Sequence, residues 1–318
     1  MHRQKAQLID MRTYANWKSI APGVWGLRDK FVNVYFIHNP ETKKWLLVDA
    51  GLKTSVGKIR KAAELLFWPQ AAPEAIVLTH GHFDHVGALP QLLGAWNVPV
   101  FAHEMEAPYL TGKSAYPPAD PTAGGGLMTL MSCLYPNKPI DISGHLMTLN
   151  DNDPIPGFPE WRCLHTPGHA PGHMSLYRER DGVLIAGDAF VATKQESLIA
   201  VMQQRKEVSG PPRYFTCDWV AAAASVRKLA ALQPKVAATG HGKPLRGYML
   251  RDLNQLAENF EEVAVPKHGR YTKEPARTDT AGVAYVPSRT NGVGKWAALA
   301  GIVLLGGIGF LLSRQLNK

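Results

Sequence analysis

Four side chains able to bind a metal stand within six residues of one another, directly after a short apolar run. The run is Ala75–Thr79 (AIVLT), suited to a buried strand, and the cluster is His80-Gly81-His82-Phe83-Asp84-His85. Continued as extended chain, His80, His82 and Asp84 share one side, and a turn then brings in His85. Imidazole nitrogen and carboxylate oxygen are ligands for zinc, manganese and iron. A single tetrahedral ion does not need four ligands from one loop when other strands also contribute. The density therefore points to two adjacent ions, and the chain must fold so that distant strand ends converge on this loop.

The rest of the sequence supplies such strands. Ile20–Asp49 reads as strand material (GVWGL, NVYFIHN, KWLLVDAG), and Ser55–Leu66 reads as a helix. A helix is predicted over Val86–Leu93 and a strand over Val98–Ala102, and residues 104–150 are irregular. Strands follow at Trp161–Leu164, Val183–Ala186 and Val236–Thr239. Helices are predicted over Val220–Leu232, capped by Asp218 and closed by Pro234, and over Arg251–Val263. Strands alternating with helices indicate a layered α/β or α+β domain. No G-x-x-x-x-G-K-[ST] or G-x-S-x-G motif occurs, which removes the P-loop and serine-hydrolase readings. Cys133, Cys163 and Cys217 lie far apart with no C-x-x-C, so they read as small core residues rather than a disulfide framework or a thiolate zinc site.

Charge separates the ends from the body. The net charge of +9 comes from residues 1–18, at +3, and residues 264–318, at +6, leaving 19–263 neutral. A nucleic-acid binder carries its positive charge on a folded face, so basic ends on a neutral body argue against nucleic acid and suit an anionic membrane surface. No apolar core of a secretory signal follows the basic N-terminal residues, and with the short polar C-terminal tail this leads us to expect a cytoplasmic main domain. At the other end, Trp296–Leu312 (WAALAGIVLLGGIGFLL) is uncharged, flanked by Lys295 and Arg314. As a helix it would span about 25 Å, the short limit for crossing a bilayer. The reading is a basic tail (1–18), a catalytic domain (19–263) with an insertion at 104–150, a Pro/Gly/Thr-rich linker (264–294), and a C-terminal hydrophobic helix serving as membrane anchor (295–318).

The run H-x-H-x-D-H after an apolar strand resembles the metallo-β-lactamase fold superfamily, over roughly residues 20–250. That resemblance implies an α+β fold, a four-layer αββα sandwich with a dinuclear metal site at one edge of the sheets. It also implies further ligands after later strands. His169 stands in the family's H-T-P-G-H position, Asp188 follows Gly187 as the bridging aspartate, and His241 lies in Gly240-His241-Gly242. Carried over position by position, His80, His82 and His169 hold one divalent cation, and Asp84, His85 and His241 hold the other. Asp188 bridges them. The resemblance implies zinc, with manganese or iron as alternatives. Two cations sharing a water bring its pKa toward neutrality and supply hydroxide, and Asp84 is the candidate to carry a proton to the leaving group.

An aspartate at 188, where dinuclear β-lactamases carry cysteine, makes the chain similar to the glyoxalase II-like and lactonase-like hydrolases. The implied reaction is hydrolysis of a carboxylic ester, thioester or lactone in a small acyl substrate. The lactonases carry a tyrosine three residues after the bridging aspartate. Here that residue is Val191, with Tyr135 and Tyr214 as candidates to take its place. Met128, Met131, Leu134 and Tyr135 of the insertion suit an apolar lid. Two rival readings are a mononuclear iron enzyme that oxidises persulfides, and a membrane-tethered metal-binding protein without turnover. His165, His173 and Asp49 read as partners that orient ligands. His2, His38, His103, His145 and His268 read as ordinary loop or surface residues.

Overall fold

The computed structural model describes residues 17–288. The apolar stretch Trp296–Leu312, read as an anchor helix, lies outside them, as does most of the basic N-terminal tail. Among the described residues no helix is long and apolar enough to cross a membrane.

Two sheets face one another, and each carries helices on its outer side. The first runs β1 (Trp17–Ala21), β2 (Val24–Asp29), β3 (Val32–His38), β4 (Trp45–Val48), β5 (Ala75–Val77), β6 (Val100–His103) and β7 (Leu146–Leu149), in that spatial order. Its first four strands are antiparallel, and β4 through β7 pair in parallel. The helix α1 (Val56–Leu66) crosses from β4 to β5. Between β5 and β6 come the single turn α2 (Phe83–Val86) and then α3 (Leu89–Trp96). Ile59, Ala62 and Ala63 of α1 and Leu89, Leu92 and Leu93 of α3 bury their apolar faces on Phe36, Leu47 and Ile76.

The segment 104–150 contains α4 (Ala107–Leu110) and α5 (Leu127–Met131) before it ends as β7. The second sheet follows as β8 (Pro154–Ile155), β9 (Phe158–His165), β10 (Met174–Arg178), β11 (Val183–Gly187), β12 (Val236–Thr239) and β13 (Leu245–Arg246). The helix α6 (Leu198–Gln203) lies in the long loop after β11. Its successor α7 (Trp219–Ala231) begins where the Asp218 side chain accepts the Ala221 N–H, and it packs with α8 (Met249–Glu258) on the outer face. A third apolar layer, including Ile37, Val48, Val77, Trp161, Leu176 and Ile185, fills the space between the sheets. The architecture is therefore the αββα sandwich, with all four layers present.

Several elements differ from the sequence reading. The histidine loop is extended only as far as His82. Phe83–Val86 then turns helical, so Asp84 and His85 project from a helical turn rather than a continued strand. The predicted helix over Val86–Leu93 breaks there and restarts at Leu89 with Pro90 in its first turn. The strand β10 was not foreseen because Arg178 makes its end look like a surface turn. That side chain is fully buried, paired with Asp181, bonded to the Pro22 carbonyl and stacked over Trp161. The helix predicted over Arg251–Val263 breaks at Asn259 into α8 and the turn α9 (Phe260–Val263).

Residues 264–288, read as linker, carry the hairpin β14 (Arg277–Asp279) and β15 (Gly282–Tyr285). They pack on the insertion. Tyr271 is buried and donates to the Pro118 carbonyl (2.7 Å), and the Arg270 N–H donates to Asp120 (2.5 Å). Cys163 and Cys217 are buried as expected, but Cys133 is exposed, in the short turn after α5.

Trp161 is wholly buried between the sheets. Trp161→Ala is expected to lower the unfolding free energy by about 3–5 kcal/mol, from lost burial and the cavity left behind. Urea denaturation of the metal-free protein measures it.

Candidate metal centre

The sandwich delivers four loops to one end. The β5 end leads into His80, His82, Asp84 and His85. The β9–β10 turn carries His169 and His173, the β11 end carries Asp188, and the β12 end carries His241. All seven side chains proposed from the sequence meet there, and each is buried. Ligand atoms fall into three groups within 4.8 Å of one another: His80, His82 and His169; His80, His85 and Asp188; Asp84, His85 and His241. One Asp188 oxygen lies 3.6 Å from His169 Nε2, 3.7 Å from His85 Nε2 and 3.0 Å from His241 Nε2. It stands between the first group and the third.

Outer hydrogen bonds aim the imidazoles. His85 Nδ1–H donates to Asp49 (2.8 Å), and His241 Nδ1–H donates to the Phe31 carbonyl (2.8 Å). Thr79 donates its hydroxyl proton to Asp49 and leaves an oxygen 3.1 Å from His80 Nδ1. This turns each Nε2 inward, where that of His241 meets Asp188 at 3.0 Å. His80 Nε2, His85 Nε2 and Asp188 Oδ1 are buried without any hydrogen-bond partner. Orphaned acceptors in such a cluster are the arrangement a bound cation satisfies, so the residues fit divalent metals.

Electrostatics divide the histidines into two sets. Burial, reinforced by neighbouring imidazoles, holds His80 and His82 well below the usual histidine range, and burial takes His169 down to about 4. These rings are neutral, as ligands must be. On the other side, Asp49 and Asp188 outweigh burial and raise His85, while Asp188 and Asp84 raise His241. Burial raises the Asp84 carboxyl.

Asp49 has φ +62°, a left-handed conformation costly for a side chain other than glycine. It is held by the Thr79 N–H (2.7 Å), the Thr79 hydroxyl and His85. His173 accepts the Asp188 N–H at Nε2 (2.9 Å) and donates from Nδ1 to Thr166 (2.8 Å), so it positions Asp188. His165 sits outside the cluster and donates to the Pro171 carbonyl (2.9 Å). His103, read as a loop or surface residue, is buried with its ring stacked on His165 at 3.9 Å.

The insertion reaches over the cluster. Phe215 stacks on His82 (4.5 Å), and Tyr135 packs against Phe83, Tyr214 and Phe215. Met128 joins this apolar group, Met131 is partly exposed, and Leu134 faces solvent. The Tyr135 hydroxyl donates to the Met128 carbonyl (3.0 Å). Burial and nearby Asp84 push that phenol up to about 12. Three contributors escaped the sequence reading. The Phe31 carbonyl is backbone and carries no residue signal. Phe215 lies in a loop without periodicity, and Glu106 sits in the irregular insertion. Burial pushes Glu106 up to about 7 against the pull of Tyr116 and two amide donors.

The model of the metallo-beta-lactamase superfamily matches residues 27–241. The probable metallo-hydrolase YflN of Bacillus subtilis is 44% identical over 258 residues, which cover 80% of this chain and 97% of that protein. Among crystal structures, the metallo-beta-lactamase family protein TTHA1429 of Thermus thermophilus superposes with a TM-score of 0.52 at 23% identity, covering 76% of this chain and 79% of its own. The subclass B3 metallo-beta-lactamase BJP-1 of Bradyrhizobium japonicum gives 0.53 at 20% identity, over 80% and 96%. The two crystal structures speak for the fold alone. With the family match spanning all four ligand-bearing loops, the chain belongs to the metallo-beta-lactamase superfamily.

Proposed function

We propose that the protein is a metal-dependent hydrolase of a carboxylic ester, thioester or lactone. The observation that carries this reading is the set of buried, partnerless acceptors His80 Nε2, His85 Nε2 and Asp188 Oδ1. They lie among seven His and Asp side chains drawn from four loops. In this reading His80, His82 and His169 would hold one divalent cation and Asp84, His85 and His241 a second, with Asp188 available to both. Such a pair supplies Lewis acidity toward a carbonyl and ionises water at neutral pH.

The chain's own groups do the rest. Asp84 keeps one carboxylate oxygen 3.6 Å from His241 Nε2 and is the group to pass a proton to a leaving oxygen or sulfur. Asp49 and the Phe31 carbonyl keep His85 and His241 in one tautomer. Phe83, Tyr135, Tyr214 and Phe215 form an apolar wall beside His82 and exclude water from the reacting carbonyl. That wall favours a substrate with an acyl or aromatic tail. Since the Tyr135 hydroxyl is engaged by Met128, Tyr214 is the better placed of the two tyrosines to meet a substrate oxygen.

A panel of aryl esters, thioesters and lactones, offered to zinc- and manganese-loaded protein, tests the reaction class. Turnover that is abolished by chelation and by His82→Ala supports it. No turnover on any member, or iron retention with persulfide oxidation, overturns it. Gly240 separately tests the crowding of the centre, because a Cβ there would collide with Asp188 Oδ1 and lie 2.8 Å from His85. Gly240→Ala should lose most bound metal by elemental analysis, while Gly144→Ala, with open space around it, should keep it.

A further inference from the structure

Glu106 is fully buried and forms no ion pair among the described residues. Burying a carboxylate without a cation is costly unless donors surround it. Three do. One oxygen accepts the Gly81 N–H (2.9 Å) and the Tyr116 hydroxyl, and the other accepts the Gly172 N–H (2.8 Å). Tyr116 also accepts the Gly81 N–H at 2.8 Å.

The two glycines are the informative part. Gly81 lies between His80 and His82, on the loop from the first sheet. Gly172 lies between His169 and His173, on the turn of the second sheet. Neither tolerates a Cβ. At Gly81 it would sit 2.8 Å from the Tyr116 hydroxyl and 3.0 Å from Leu110, and at Gly172 it would sit 2.7 Å from the Glu106 nitrogen. Both backbones therefore approach the carboxylate closely. The His82 and His169 rings of these loops also meet directly, Nδ1 to Nε2 at 3.0 Å, while Glu106 holds the two backbones. The neighbouring Glu104, by contrast, is exposed.

We infer that Glu106 is a positioning residue, whose two oxygens set the separation between His80–His82 and His169 and so shape one of the two cation positions, with Tyr116 bracing it. The inference rests on the metal-centre reading above. Glu106 touches none of the imidazoles itself, so it acts only through the backbone of the two loops. A carboxylate suits this task because it presents two acceptors that diverge toward two donors. An amide presents one acceptor and one donor, and the donor faces an N–H.

Zinc binding to the full chain, measured by chelator competition, tests it. Each position is isolated by removing the other, with His241→Ala leaving the His80–His82–His169 position and His82→Ala leaving the Asp84–His85–His241 position. Adding Glu106→Gln to His241→Ala should weaken the remaining zinc by about 10- to 100-fold, the usual effect of losing an outer-shell partner. Adding it to His82→Ala should change affinity less than about twofold, and Glu104→Gln should change neither. Tyr116→Phe in the His241→Ala chain should give a smaller loss in the same direction. Unchanged affinity in the His241→Ala background overturns the inference. So does an equal loss in both backgrounds with a lowered melting temperature, which would make Glu106 a general prop of the fold. If Glu106→Gln does not fold, Tyr116→Phe decides: a loss confined to the His241→Ala background supports the inference, and no loss overturns it. A wild-type chain that takes up no zinc overturns the metal-centre reading itself, an outcome separate from wild-type uptake with an indifferent Glu106.

Discussion

A buried polar atom left without a partner costs about 1–3 kcal/mol, and this fold gathers three of them at one point. His80 Nε2, His85 Nε2 and Asp188 Oδ1 face one another with no protein donor between them. No single side chain could satisfy all three. The surrounding structure maintains the cost: Asp49 is held in a left-handed backbone conformation, Gly240 leaves no room for a methyl group, and His173 grips the Asp188 amide. These features make sense together if the cluster is built to be completed by positive charge. The low pKa values of His80, His82 and His169 belong to the same logic, because rings kept neutral by burial are ready to ligate.

Much of the centre was legible because its chemistry is concentrated in side chains of unusual type at short spacing. The run from His80 to His85 announces itself, whereas His169, Asp188 and His241 were picked out through the family resemblance, each after an apolar strand. The alternation of strands and helices indicated a layered domain, and the four-layer sandwich was implied by the family resemblance. What escaped was of a different kind. Arg178 hid β10 because a fully buried guanidinium looks like a surface residue until Asp181 and Trp161 are placed around it. The Phe31 carbonyl, which orients His241, leaves no trace in residue type. Glu106 is an ordinary acid until the fold sets it between Gly81 and Gly172. The turn that brings in His85 starts at Phe83, earlier than expected, because an alternating pattern of metal-binding residues fits a strand and a helix start about equally well.

The apolar group over the centre draws on distant parts of the chain. Met128 and Tyr135 come from the insertion, Tyr214 and Phe215 from the loop after β11, and Phe83 from the histidine loop itself. Residues 264–288 then fasten the insertion from outside through Arg270, Tyr271 and the β14–β15 hairpin. A covering tied at both ends in this way opens by local movement of a few aromatic rings more readily than by swinging as a unit.

The division of the two sheets along the chain has one more consequence. The first sheet is complete by Leu149 and the second is drawn entirely from later residues. A growing polypeptide can therefore fold the half that bears His80, His82, Asp84 and His85 while the half that bears His169, Asp188 and His241 is still being made. Asn33 and Tyr35 of the early half bond Thr239 and Gly240 of the late one, and until the late half is made the early histidine loop stands as an incomplete set. The centre can thus be completed only once His241, the last of the seven groups along the chain, has been made.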